Sequence, residues 1–141
     1  MDKRLVLLKF FKVSDKILKY QEENGPNEDE FSTIVSKISV SGRNILCFLL
    51  NGKSTNQRTI AKQMNISSQA VSEVVKKLEV LNLIEKKYGL QNNENLILLT
   101  ESGELIAKKL DFTIKDHANN VFSKLNDEET EQLFNLLDKI L

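Results

Sequence analysis

One cysteine, one proline, one histidine and no tryptophan occur in 141 residues. A single Cys excludes an intrachain disulfide framework and suits a reducing compartment. A single His, with no HxxxH or CxxC spacing anywhere, argues against a metal site. The longest apolar run, Ile45 to Leu50, is six residues, far short of the ~20 that a membrane span needs. Asp2-Lys3-Arg4 opens no sustained apolar stretch, so no signal peptide and no membrane association are expected, and the reading is cytoplasmic. There is no Gly-rich phosphate loop, and the one Cys and one His fall on separate helical segments without an oxyanion-type glycine turn. Neither an enzyme nor a cofactor is expected. What is present, 40% hydrophobic and 28% charged residues, describes one globular domain over 1–141 that buries about two thirds of its unfolded surface without a staple.

Twenty basic side chains balance twenty acidic ones, but not evenly along the chain. Residues 41–89 hold eight basic against three acidic groups, whereas residues 90–141 hold five against ten. A basic centre between neutral and acidic ends points weakly to a polyanionic partner for that centre.

Periodicity predicts a helix over 3–23, carried by Val6, Phe10, Val13, Ile17 and Tyr20 and widened by Leu7, Phe11 and Leu18. So broad a stripe suits either a deeply buried first helix or one shared with a second subunit. Asn24-Gly25-Pro26-Asn27 stops it, and Glu28-Asp29-Glu30 opens a short helical segment. Ser39 can cap a helix over 40–50, Asn56 one over 57–64 and Ser67 one over 68–82. The last two, joined by a tight turn at Asn65-Ile66, form a helix-turn-helix whose second helix is the reader. Residues 83–88 and 95–99, around a polar tip from Gly89 to Glu94, read as a β-hairpin wing. Thr100 caps a long helix over 101–124, and Asn126-Asp127-Glu128-Glu129 makes a capping box for a last helix ending in Leu136, Leu137, Ile140 and Leu141. The fold class is mainly α with a small β-hairpin wing: a winged helix-turn-helix over 39–99 between terminal helices over 1–38 and 100–141.

Several stretches resemble the MarR family of bacterial transcriptional regulators: Ile45-Leu46, Asn56-Gln57-Arg58-Thr59-Ile60-Ala61, Ile66-Ser67-Ser68-Gln69-Ala70-Val71-Ser72, Lys77-Leu78-Glu79, Leu83-Ile84-Glu85-Lys86 and Leu99-Thr100-Glu101-Ser102-Gly103. The resemblance spans about residues 39–105, and the flanking helices match in order and length. It implies a homodimer with intertwined terminal helices, two winged helices reading palindromic double-stranded DNA, a small-molecule effector and a repressor role. Two positions depart from the family's pattern. The wing's usual Asp-x-Arg falls on Gln91, Asn92 and Asn93, which bring no charge to the minor groove, and the Arg that often follows Ser72 is Glu73. These departures keep open a different reading, a winged-helix protein-interaction module with weak or lost sequence-specific DNA binding.

The candidate DNA contacts follow from side-chain chemistry. Gln69 can pair with adenine N6 and N7, and Ser68 and Ser72 can take a base edge or a phosphate. Lys76, Lys77, Lys62, Lys86 and Lys87 are backbone candidates, although a solvated face is the plain reading for any exposed lysine. Thr55, Asn56 and Gln57 begin the supporting helix, where capping and phosphate binding are both open. Asn92 and Asn93 are the wing-tip candidates. An effector site would fall where residues 10–20, 40–50 and the start of the 101–124 helix approach the reader, with Phe10, Phe11, Phe48 and Phe112 as candidate linings; plain core packing competes for all four. Cys47 and His117 read as packing residues. Because Asn93 leaves the wing uncharged, Asn93→Arg should tighten DNA binding, most over a narrow A-tract, in fluorescence anisotropy titrations. Unchanged affinity would mean the wing does not reach the minor groove.

Overall fold

The computed structural model describes residues 1–24, 30–52, 54–89 and 95–141. The helix stop at residues 25–27, the Glu28-Asp29 segment and most of the polar wing tip lie outside these residues. The chain divides into two compact units, residues 26–112 and residues 1–25 with 113–141.

The larger unit contains α2 (Glu30–Ser36), α3 (Val40–Gly52), α4 (Gln57–Met64), α5 (Ser68–Val80), β1 (Ile84–Tyr88), β2 (Asn95–Leu99) and the first part of α6 (Glu101–Val121). Local chemistry sets the helix ends. Asn56 accepts the Thr59 amide at 2.8 Å and Ser67 the Ala70 amide at 3.1 Å, each satisfying a donor that the first turn leaves free. Asn65 closes α4 with φ of 52°, a left-handed conformation that Asn tolerates better than most residues. The helix-turn-helix thus forms where expected.

β1 and β2 pair antiparallel, with Ile84 opposite Leu99 and Tyr88 opposite Asn95. Ile84 and Ile97 are buried on one face of the hairpin, while Lys86, on that face opposite Ile97, and Lys87, on the other face, are exposed. Thr55, read from sequence as the start of the supporting helix, instead forms a β-bridge to Ile97, exchanging backbone hydrogen bonds of 3.2 and 2.7 Å. The wing is thereby tied to the segment that precedes α4.

Ile45, Leu46, Ile60, Val71, Val75, Leu78, Leu83, Ile84 and Ile97 are essentially inaccessible to water. Phe31, Ile38, Leu49, Ile106, Ala107 and Leu110 complete this core, so the compact unit reaches beyond the 39–99 read as winged helix. A short amphipathic helix and the start of α6 cover apolar surface that the winged helix would otherwise expose.

The junction of α5, the hairpin and α6 is the tightest point of this unit. Asn82 adopts φ of 56° and turns the chain out of α5. Thr100 then makes four hydrogen bonds: its amide donates to the Leu83 carbonyl at 3.1 Å, its hydroxyl donates to the Asn82 carbonyl at 2.6 Å, its Oγ1 accepts the Gly103 amide at 2.9 Å and its carbonyl accepts the Glu104 amide at 2.8 Å. Gly103 lies against the Leu83 backbone so closely that a Cβ would overlap the carbonyl oxygen and sit 2.7 Å from the carbonyl carbon.

The smaller unit contains α1 (Lys3–Asn24), the remainder of α6 and α7 (Asp127–Ile140). Tyr20 donates to Asp116 Oδ2 at 2.9 Å, and its ring meets His117 edge-on at 5.0 Å. The hydrogen bond to Asp116, then burial and the carboxylate's charge, hold the Tyr20 hydroxyl above its ordinary pKa. Asn126 and Glu129 form the expected capping box, with bonds of 2.9 and 3.0 Å. No described residue of this unit is buried; Leu5 to Leu8, Phe10, Phe11, Leu18, Phe134, Leu136 and Ile140 are all more than half exposed.

Gly103→Ala should destabilise the protein by about 2 kcal/mol or more, because the added methyl meets backbone that cannot rotate away. Ser102→Ala, at an exposed neighbour, should be near neutral. Denaturant unfolding followed by circular dichroism checks both, and equal midpoints would contradict the account.

Candidate nucleic-acid interface

The reader helix α5 buries Val71, Val75 and Leu78. At about 100° per residue this fixes Gln69, Glu73, Lys76 and Val80 on the opposite, outward side, and all four are exposed. Ser68 is exposed as well, whereas Ser72, toward one edge of that face, is half-buried. The face therefore offers an amide and an ammonium, with the Glu73 carboxylate between them.

The lysines fall into two groups. Lys86 lies 3.9 Å from Glu79 and Lys87 lies 3.3 Å from Glu85, so both are partly neutralised within the protein. Lys62, Lys76 and Lys77 are exposed and have no carboxylate within 4.0 Å among the described residues. Arg58, exposed in the first turn of α4 and likewise without an ion pair among the described residues, was not singled out from sequence. Its position beside Asn56 and Gln57 at a helix N-terminus was the available signal.

Two of the supporting-helix candidates do internal work. Asn56 caps α4. Gln57 Nε2 donates to the Ser68 carbonyl at 3.1 Å, joining the first turn of the supporting helix to the first turn of the reader. Its position, eleven residues before its partner, gave no sequence signal for this bond. Asn92 and Asn93 lie outside the described residues.

The candidate effector rings are scattered in their exposure. Phe48 packs half-buried against the core of the larger unit, and Phe112 is 72% exposed in that unit. Phe10 and Phe11 are both more than half exposed on α1. Cys47 packs against the same core as Phe48; burial, then the charge of Asp111, push its thiol above the ordinary pKa. That direction disfavours the reactive thiolate.

Gln57→Ala should speed hydrogen exchange of the first α5 amides and cost about 1 kcal/mol of stability, the worth of one intramolecular hydrogen bond. Gln63→Ala, at an exposed position on the same helix, should change neither. Unaltered exchange in the Gln57 variant would show that the bond does not position the reader.

Residues 43–93 match the sequence model of the MarR family. No curated protein matches the chain in sequence. Among solved structures, a MarR family regulator from Neisseria meningitidis is 25% identical, with 99% of this chain and 92% of that one covered and a TM-score of 0.66. BpsR from Bordetella bronchiseptica, whose DNA binding is regulated by 6-hydroxynicotinic acid, is 18% identical over 96% of this chain and 91% of its own, with a TM-score of 0.70. The PcaV transcriptional regulator from Streptomyces coelicolor, solved with its natural ligand, is 21% identical over 74% of each chain, with a TM-score of 0.65. Residues 43–93 thus match the MarR family in sequence, and the described residues share the winged-helix fold of the Neisseria meningitidis regulator.

Proposed function

We propose that this protein is a DNA-binding transcriptional regulator, a ligand-responsive repressor that reads a palindromic operator as a homodimer. The observation that carries the reading is the reader helix itself. Its outward side is exposed, with Gln69 and Lys76, which has no carboxylate within 4.0 Å among the described residues, displayed about two turns apart. An amide that can pair with adenine beside an ammonium that can meet phosphate is the combination a major-groove helix needs. The fold shared with BpsR and PcaV supports ligand response, since 6-hydroxynicotinic acid regulates DNA binding by BpsR and PcaV has a natural ligand.

Dimerisation is supported by the smaller unit. A chain that leaves Phe10, Phe11, Phe134 and Ile140 more than half exposed forgoes a large part of the roughly 1.5–3 kcal/mol that full burial of each contributes. Exposed large apolar side chains in such number mark an interface, and a second copy covers them with matched chemistry under two-fold symmetry. Two such subunits place two readers on successive major grooves, with half-sites about one helical turn apart.

Glu73, exposed among the outward residues, favours the protein-interaction reading, because a carboxylate there repels phosphate. The reader variants separate the two. Lys76→Ala should flatten the log–log salt dependence of DNA affinity by about one unit for each Lys76 engaged. Gln69→Ala should relax preference at one base pair per half-site by about 1–3 kcal/mol. Light scattering should show a dimer at micromolar concentration, and loss of residues 133–141 should abolish it. If both reader variants bind DNA like the parent, α5 is not the reader; a stable folded monomer would remove the dimer.

A further inference from the structure

Lys37, Lys76, Lys77, Val80 and Leu81 line an open groove of about 300 Å³ beside the C-terminal half of the reader helix. Lys37 stands outside the helix-turn-helix, in the turn between α2 and α3. Its backbone is held in place: the Lys37 amide donates to the Ile34 carbonyl and the Ile38 amide to the Val35 carbonyl, each at 3.0 Å. The Val35 carbonyl also accepts Arg43 Nη2 at 3.2 Å, and the adjacent Ile38 is buried in the core. These bonds anchor the base of the Lys37 side chain at the edge of the groove.

Three ammonium groups share this groove and no acidic residue lines it. None of the three has a carboxylate within 4.0 Å among the described residues. Like charges gathered on one surface repel, so an anion entering the groove relieves the cluster. Lys77 and Leu81 lie about 100° around the helix from Lys76 and Val80, toward one flank of the outward face. A helix in the major groove has a phosphate backbone along each flank. On the opposite edge of the face Glu79 engages Lys86, which lowers the positive charge available there.

We infer that Lys37, together with Lys77, contacts backbone phosphates along one wall of the major groove, extending the DNA footprint beyond the helix-turn-helix. The inference rests on the DNA-binding reading above. Contacts of this kind fix register and add affinity without reading sequence.

The test uses the full-length protein and one DNA site recovered by selection, with affinity measured by fluorescence anisotropy across a salt series. Lys37→Ala should make the salt slope shallower by about 0.9 for each Lys37 engaged, or about 1.8 for a symmetric dimer. Raising salt fourfold should then weaken the variant about twelve-fold less than the parent. Its affinity ratios among single-base variants of the site should stay those of the parent, which distinguishes a phosphate contact from a base contact. Lys37→Arg should keep the parental slope, and Lys124→Ala, an exposed lysine in the other unit, should also keep it. A parental slope in Lys37→Ala overturns the inference while leaving the DNA-binding reading intact. No DNA binding by the parent overturns both. If benzoate shifts the amide resonances around Lys37 and the DNA slope of Lys37→Ala is parental, the groove takes a small organic anion instead.

Discussion

The backbone contact between Gly103 and Leu83 is the constraint on which the winged-helix unit depends. It brings together the exit of the reader helix, the first residue pair of the hairpin and the first turn of α6. Thr100 fastens the same point by donating to the carbonyls of Asn82 and Leu83 while capping the helix that follows. Hairpin register follows from that fastening, since Leu99 opposite Ile84 puts Ile97 and Ile84 on the buried face. A slip of one residue would turn both toward water. The Thr55 bridge to Ile97 then carries the same register to the entrance of the supporting helix.

Charge is distributed on this scaffold according to which groups find partners inside the protein. The lysines of β1 are balanced by Glu79 and Glu85, whereas those of the reader helix are not. The net positive field of residues 41–89 is therefore concentrated on α4 and α5 rather than on the hairpin strands. That arrangement suits a protein whose affinity for a polyanion rests on the reader and its surroundings. The smaller unit has the opposite character: α7 starts in a capping box, yet the unit's apolar side chains remain exposed, so its stability depends on what covers them.

Much of this was legible in the sequence because the helices are locally consistent. Asn56, Ser67 and Asn126 each stand three residues before the amide they cap, and the apolar spacing in α4, α5 and α7 follows 3.6 residues per turn. The hairpin was legible from two apolar runs around a polar tip. The Thr55 bridge was not, because a one-residue pairing leaves no alternating pattern. Phe31 and Ile38 sit in a segment too short to show periodicity, so their place in the core emerged only from packing. For the candidate site, Gln69, Lys76 and Lys77 could be placed from helical geometry. The Gln57–Ser68 bond, the Lys86–Glu79 pair and the Lys37 groove join residues distant in sequence, and chain order carries no signal for them.

The central claim is that two copies of this winged helix read DNA together through α5. Selection of binding sites from random double-stranded DNA by the full-length protein tests it most directly. The account predicts enrichment of a two-fold symmetric sequence whose half-sites lie about one helical turn apart. Recovery of no preferred sequence, or of a single unpaired half-site, would contradict it.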